Sequence, residues 1–228
     1  AISSYASYFW QPIMNLGNIF NNFINNIAYL ERIFETIDEP VTVKDAENAK
    51  EMPKIQGKVT FDHVKFAYDE TKTILKDVSF TVQPGESVAL VGPTGAGKST
   101  IVNLISRFYN VNGGRVLIDD QDIAEVTIHS LRRQMGIMMQ DSFIFSGTIE
   151  DNIRYGKLDA TKEEIQKASR IVCADDFISR MPDSYATEVR ERGSMLSQGQ
   201  KQLISFARTL LSDPAILILD EATSSIDV

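Results

Sequence analysis

The residues of this chain that could do chemistry begin with a glycine-rich loop, GPTGAGKST, at Gly92–Thr100. It fits the pattern G-x-x-x-x-G-K-[ST], in which glycines let backbone N–H groups turn inward around a phosphate. Lys98 would add a positive charge for the β- and γ-phosphates, and the Ser99 hydroxyl would bind Mg²⁺. We therefore predict a nucleotide site lined by the whole loop: Gly92, Pro93, Thr94, Gly95, Ala96, Gly97, Lys98, Ser99 and Thr100.

The flanking sequence suits such a loop. Glu86–Val91 (ESVALV) is a short apolar run that predicts a strand, and Ser99–Phe108 has the apolar spacing of a helix. The alternative is a glycine-rich turn that binds nothing, but strand, loop, lysine and hydroxyl are all in place. A dinucleotide-binding fingerprint is excluded, because Thr100 stands where its third glycine should be.

A pair of carboxylates supplies the second chemical element. Asp220 and Glu221 directly follow Ala215–Leu219 (AILIL), a wholly apolar run typical of a strand buried in a parallel sheet. Asp220 would hold Mg²⁺ opposite Ser99. Glu221 would orient and deprotonate the water that attacks the γ-phosphate.

The remaining elements place these residues in an α/β fold with the nucleotide at the carboxyl ends of parallel strands. Thr161, with Glu164 three residues later, predicts a capping box at the start of a helix. Residues 143–156 look irregular. The predicted strands are 58–68, 73–82, 115–118 and 136–139, and the predicted helices are 128–135, 161–173 and 198–211.

The first part of the chain carries a heptad stripe of apolar residues from Phe9 to Ile37, which predicts a helix packed against other helices. The alternative is a helix folded back on its own domain. The charged segment that follows holds Pro40 and Pro53 and reads as a linker.

Composition narrows the function classes. A net charge of −8 argues against nucleic acid as the main partner. The single cysteine, Cys173, excludes an internal disulfide and reads as a structural thiol. No run approaches a membrane span and no cleaved signal is evident, so we expect the piece itself to be soluble.

Leu196–Gln200 (LSQGQ) resembles LSGGQ, the signature of the ATP-binding cassette (ABC) family, with Gln198 in place of the first glycine. Ser197, the Gly199 amide, Gln200 and the start of the next helix would form a second anion site. In the family, this site meets the γ-phosphate of ATP bound to another cassette. For the pentapeptide alone, the alternative is an ordinary helix capped by Ser197.

Other positions match the family one by one. Tyr68 falls where an aromatic residue stacks on adenine, and Gln140 matches the glutamine that senses Mg²⁺ and the attacking water. Thr187–Gly193 (TEVRERG) resembles the exporter segment TxVGERG, with Arg190 in place of glycine, and Ser224–Asp227 matches the D-loop. The resemblance implies a P-loop cassette with a mostly parallel sheet core, an antiparallel β subdomain and a helical signature subdomain.

The resemblance also implies a function: an ATPase with ATP and Mg²⁺ as ligands, of the multidrug- or lipid-exporter type, at the cytoplasmic face of a membrane. Residues 1–39 would be the cytoplasmic extension of the last transmembrane helix, residues 40–57 would link this helix to the cassette, and residues 58–228 would form the cassette. The expected partners are a second cassette and transmembrane domains of the same polypeptide. The family's switch histidine follows Glu221 by tens of residues, so we expect the chain to be a fragment that stops before it.

The sequence leaves other interpretations of the function open. One is a soluble ABC-type ATPase acting on nucleic acid or ribosomes, and another is a regulatory cassette of low hydrolytic activity, which Glu221 opposes. A small-molecule kinase would leave LSQGQ without a role. Gln198 leaves two pairings open: a homodimer that tolerates it, or a heterodimer whose second site is degenerate.

Overall fold

The computed structural model describes residues 2–69, 72–138, 143–190 and 193–220, without the side chains of residues 2–8. The chain divides into two compact units, Ala1–Thr42 and Val43–Val228. The division falls inside the predicted linker. The boundaries of the three predicted segments stay a prediction.

The first unit is dominated by a single helix, α1 (Ile2–Ile37), which the heptad stripe predicted. Pro12 lies inside the helix, where it removes one backbone donor. The large apolar side chains along its length are exposed, among them Phe20, Phe23 and Leu30. Within the described part of the chain, no helix combines the length and apolar character needed to cross a membrane.

The second unit contains eight strands and six α-helices in its described residues. In chain order they are β1 (Val59–Ala67), β2 (Thr73–Val82), α2 (Lys98–Ile105), β3 (Gly113–Ile118), β4 (Gln121–Asp122), α3 (Ile128–Arg132), β5 (Met135–Met138), β6 (Gly147–Thr148), α4 (Ile149–Arg154), α5 (Lys162–Ile171), α6 (Asp175–Ile178), β7 (Glu188–Val189), α7 (Gln198–Leu211) and β8 (Ile216–Leu219).

The antiparallel sheet has the order β2-β1-β3-β4. Phe61 in β1 lies opposite Phe80 in β2 and Val116 in β3. The rings of Phe61 and Phe80 stack with their centroids 4.7 Å apart. Long apolar strands with aromatic cross-strand pairs explain why this sheet was predictable, since such pairs are a main source of sheet stability.

The parallel sheet has two strands among the described residues, β5 and β8, with Met138 beside Leu219. The predicted strand at Glu86–Val91 is wrong, because the structure places no strand there. Val88 and Val91 are exposed. The hydrogen bonds of Glu86 are those of a turn: its amide donates to the Gln83 carbonyl at 3.1 Å, and its Oε2 accepts from the Gln83 amide at 2.7 Å. An apolar run forms a strand only where a neighbour pairs with its backbone, and no described strand does so here.

One hydrophobic core fills the space between the antiparallel sheet, α2 and α3. Part of the predicted linker belongs to it. The Met52 amide donates to Ser130 Oγ at 2.7 Å, and the Ile55 amide donates to Gln134 Oε1 at 2.8 Å. Both apolar side chains are buried. The second half of this segment is therefore fixed to the cassette.

A second core lies among the helices. It is made mainly of isoleucines and alanines, and α7 packs against both α4 and α5 within it. The fully buried members include Ile149, Ile153, Ile165, Ile178 and Ile204.

The opposite face of α7 lies on the parallel sheet. A Cβ added at Gly136 in β5 would lie 2.7 Å from Thr209 Cγ2 and 2.8 Å from Pro214 Cγ. Gly136 therefore allows β5 to approach α7 closely, and α7 touches both the helical core and the sheet.

This close approach predicts that Gly136→Ala destabilises the protein by about 1–3 kcal/mol through overpacking. Gly113→Ala in β3 is the matched control, because its Cβ would meet only the Lys65 side chain at an ordinary 3.6 Å. Urea unfolding measures both variants. Equal stabilities would show that β5 and α7 do not pack as described.

Candidate phosphate site and signature helix

The glycine-rich loop leads directly into α2, whose first residue is Lys98. Gly95 and Gly97 adopt φ angles of 84° and 94°, which side chains other than glycine rarely tolerate. A Cβ at Gly97 would also lie 2.9 Å from Leu75 Cδ2 in β2. Both the backbone turn and the space beneath it therefore require glycine at position 97.

The Lys98 side chain folds back over the start of the loop. Its Nζ donates to the carbonyl oxygens of Gly92 at 2.9 Å and Pro93 at 3.2 Å. No side chain caps α2, so the first-turn N–H groups keep no partner within the helix. A cation and free N–H groups at a helix start together form an anion-binding site.

Tyr68 lies beside this site, at the end of β1. Its hydroxyl is 3.2 Å from Thr100 Oγ1, and Thr100 is buried. Its ring meets those of Phe66 and Tyr109 edge to face, with centroids 4.9 Å apart in each case. The structure thus brings together the predicted adenine-stacking residue and the phosphate loop, while about half of Tyr68 stays exposed.

The predicted metal ligands are only partly described. Ser99 is exposed on the first turn of α2. Asp220 extends the β5–β8 ladder, since its amide donates to the Met138 carbonyl at 3.0 Å. Gln140, Glu221 and Ser224–Asp227 lie outside the described residues, so their roles stay predictions, as does the pairing of Ser99 with Asp220.

Hydroxyl and carboxylate oxygens are ligands that suit Mg²⁺. The described residues contain no group of three or more His, Cys, Asp or Glu side chains placed to hold a metal ion. A magnesium ion held by Ser99, Asp220 and Gln140 would take its remaining ligands from phosphate oxygens and water, which is its usual mode of binding to nucleotides.

The LSQGQ segment forms the start of α7. Ser197 Oγ accepts from the Gln200 amide at 3.2 Å, and Gln200 Oε1 accepts from the Ser197 amide at 2.9 Å, a complete capping box. Leu196 is buried and anchors the segment, whereas Ser197 is exposed. The helix-cap interpretation is therefore confirmed as a structural role.

That role leaves the anion site open. The capping box uses the Gln200 amide and side chain, so a ligand would meet the Ser197 hydroxyl and the free amides of Gln198 and Gly199. Whether Gln200 itself contacts a nucleotide stays a prediction.

Sequence reasoning missed a polar network behind the signature helix. Arg208 in α7 and Asn152 in α4 join α7 to residues 143–156, which the sequence left as irregular. The structure places β6 and α4 there, with a capping box formed by Thr148 and Asp151. Thr148 followed three residues later by Asp151 was the local signal for this helix.

The TEVRERG segment lies against the same region. β7 pairs with β6, with Val189 beside Gly147, and the Ile149 amide donates to the Thr187 carbonyl at 3.1 Å. Arg190 is exposed, and residues 191 and 192 lie outside the described part.

The fold and the loop define a nucleotide-binding P-loop protein. The family described as ABC transporter matches residues 75–224. A fatty acid ABC transporter ATP-binding/permease protein of Mycobacterium tuberculosis is 44% identical over 227 residues, which cover 100% of this chain and 36% of that protein. A putative multidrug export ATP-binding/permease protein of Bacillus subtilis is 48% identical over 229 residues, covering 100% of this chain and 40% of that protein.

Among solved structures, a bacterial Atm1-family ABC exporter with ATP bound matches the whole chain at 44% identity and a TM-score of 0.83, with 40% of that chain covered. The chain belongs to the ABC transporter family and is an ATP-binding domain of its exporter type. It spans between 36% and 40% of the length of these relatives.

The site geometry predicts that Lys98→Ala weakens MgATP binding about 10- to 100-fold, because phosphate oxygens lose a charged donor. Titration calorimetry with MgATP measures the change. Lys162→Ala, which removes an exposed lysine at the start of α5, is the charge-matched control. Equal affinities for the two variants would contradict the assignment of the loop.

Proposed function

We propose that the protein containing this chain uses it to bind and hydrolyse MgATP and so to export a substrate across a membrane. The observation that carries the proposal is the glycine-rich loop with Lys98 turned over it at the start of α2. Family membership supports the ATPase step, and a relative named as a multidrug export protein supports the direction of transport.

In this proposal each residue has one task. The loop amides and Lys98 hold the β- and γ-phosphates, and Tyr68 stacks on adenine. Mg²⁺, held by Ser99, Asp220 and Gln140, would neutralise phosphate charge when bound. Glu221 orients the attacking water and accepts its proton, so that catalysis consists of positioning and charge stabilisation.

The partners follow from the same proposal. Ser197 and the first amides of α7 face a nucleotide on a second cassette, and transmembrane domains of the same polypeptide dock on this one at the cytoplasmic face. The relatives are ATP-binding/permease proteins, which agrees with fused membrane domains. Those names do not favour a soluble ATPase acting on nucleic acid or ribosomes.

The pairing can be a homodimer or a heterodimer, since Gln198 is larger than the glycine that it replaces. Reconstitution of the full-length chain alone separates the two. Robust ATP hydrolysis and transport without a second subunit would exclude the heterodimer.

The catalytic carboxylate is tested by Glu221→Gln in the full-length protein. This variant should bind MgATP with wild-type affinity and hydrolyse it roughly 100-fold or more slowly, because an amide cannot accept the proton. Glu188→Gln, which changes an exposed carboxylate in β7, is the control. If Glu221→Gln hydrolyses ATP at the wild-type rate, Glu221 is not the catalytic base. The assignment of the nucleotide-binding site would not be affected by that result.

The signature is tested by Ser197→Ala against Thr161→Ala. Both residues cap a helix through a complete capping box, so each substitution should cost about 1 kcal/mol of stability. Only Ser197→Ala should also lower the kcat for ATP in the full-length protein. If the two variants lose stability equally and neither loses activity, Ser197 is a helix cap and nothing more.

A further inference from the structure

Arg208 in α7 makes three hydrogen bonds to a neighbouring segment. Its Nε donates to the Asn152 carbonyl at 2.7 Å, its Nη1 to the Phe143 carbonyl at 2.9 Å, and its Nη2 to Asn152 Oδ1 at 3.0 Å. One planar side chain therefore joins α7 to both ends of residues 143–152.

Asn152 continues this network inside the segment and is only 1% exposed. Its Oδ1 also accepts from the Phe145 amide at 2.9 Å. Its Nδ2 donates to the carbonyls of Phe145 at 2.9 Å and Thr148 at 3.0 Å. All polar atoms of the Asn152 side chain are thus used to shape the segment that Arg208 holds.

The positively charged guanidinium of Arg208 is surrounded by neutral groups. Burial lowers the pKa of its guanidinium. Among the described residues, no carboxylate forms an ion pair with it, and its donors meet neutral oxygens instead. The guanidinium also lies 5.2 Å from the Phe145 ring centroid and 5.9 Å from that of Tyr155. The planar guanidinium of arginine holds its donors in fixed directions, so it suits these acceptors better than a lysine of the same charge.

The segment held in this way carries an exposed aromatic surface. We call Phe143, Phe145 and Tyr155 the aromatic surface; the Phe145 ring contacts the other two, with its centroid 4.9 Å from that of Phe143 and 4.8 Å from that of Tyr155. Phe143 is 54% exposed and Tyr155 61%. Next to it, a Cβ on Gly156 would lie 2.0 Å from the Arg208 carbonyl oxygen, so the two backbones are in direct contact.

The N-terminal end of the same helix lies at the signature. From Arg208 to Gln198, α7 is an unbroken helix about 15 Å long. Ile204, one turn before Arg208, and Ala207 hold the helix in the helical core, and both are fully buried. A displacement at the aromatic surface can therefore reach Ser197 through the contacts of α7 with residues 143–156.

We propose that Arg208 is a positioning residue that makes the aromatic surface and the signature move as one rigid body. It rests on the proposed function, in that moving the signature alters ATP hydrolysis at a paired cassette. It goes beyond that function by assigning the mechanical link between the aromatic surface and the signature to one side chain, which lies outside the predicted nucleotide site.

The test uses the full-length protein with Arg208→Lys, which keeps the charge and loses the fork. Spin labels are placed at Leu158→Cys and Met195→Cys, two exposed positions beside the segment and the signature. The exposed Cys173 is replaced by serine in every variant. Pulsed electron paramagnetic resonance then measures the distance distribution between the labels, and the unlabelled proteins give kcat and KM for ATP.

We expect Arg208→Lys to broaden the distance distribution and to lower kcat about tenfold, with KM for ATP unchanged. Arg170→Lys on α5, which alters an exposed arginine of the same helical region, should leave both measurements unchanged. If Arg208→Lys does not fold, Asn152→Asp provides the second variant: it keeps an acceptor for Arg208 and loses the donors to Phe145 and Thr148. The same broadening and loss of kcat are expected.

An unchanged distance distribution overturns the proposal. So does a broadened distribution with wild-type kcat, or a lower thermal stability as the only effect. If the unsubstituted protein does not hydrolyse ATP, the proposed function fails separately. The distance distribution, which needs no turnover, then still decides whether Arg208 holds the two surfaces together.

Discussion

The left-handed backbone of Gly95 and Gly97 is the constraint on which the candidate site depends. It turns the loop so that α2 begins at Lys98 with unpaired N–H groups, and it brings the loop against Leu75 with no room for a Cβ at Gly97. Lys98 then stabilises the turn from above by binding the Gly92 and Pro93 carbonyls. Loop shape and phosphate affinity have the same physical origin, because the N–H groups and the lysine that would bind phosphate are positioned by that turn.

The helix α7 connects the rest of the cassette to this chemistry. It starts at the signature, packs Ile204 and Ala207 into the helical core, and lies against β5 where Gly136 permits a close approach. Arg208 then joins it to the segment with the exposed aromatic rings. A single helix therefore touches the helical core, the parallel sheet and the aromatic surface, so that one element relates the aromatic surface to the signature.

Local signals in the sequence were sufficient for much of the fold. The glycine-rich loop, the Thr161–Glu164 capping box and the α7 boundaries depend on neighbours within a few residues, and the structure has them where they were predicted. The strand at Glu86–Val91 was wrong, because pairing depends on a partner distant in sequence. The packing of Met52 and Ile55 was missed for the same reason: their partners, Ser130 and Gln134, lie almost 80 residues later.

The candidate site was predicted unevenly for related physical reasons. The loop residues carry signals in their types and spacing, and Tyr68 was placed by resemblance to the family; the structure brings Tyr68 next to Thr100 of the loop. The Arg208–Asn152 link carries no such signal, since an arginine near the end of an amphipathic helix reads as an exposed residue that favours the helix dipole. Only the burial of Asn152 and the convergence of three carbonyl or amide oxygens on one guanidinium identify it.

The most direct measurement of the central claim is photocleavage by vanadate in the full-length protein. With MgATP hydrolysed and vanadate held in place of the γ-phosphate, ultraviolet light cuts the backbone at the residues that touch the vanadate. The account predicts a cut close to Ser99, lost in Lys98→Ala, and a second cut close to Ser197 when two cassettes are paired. A protein saturated with nucleotide that is cut at neither position would contradict the account.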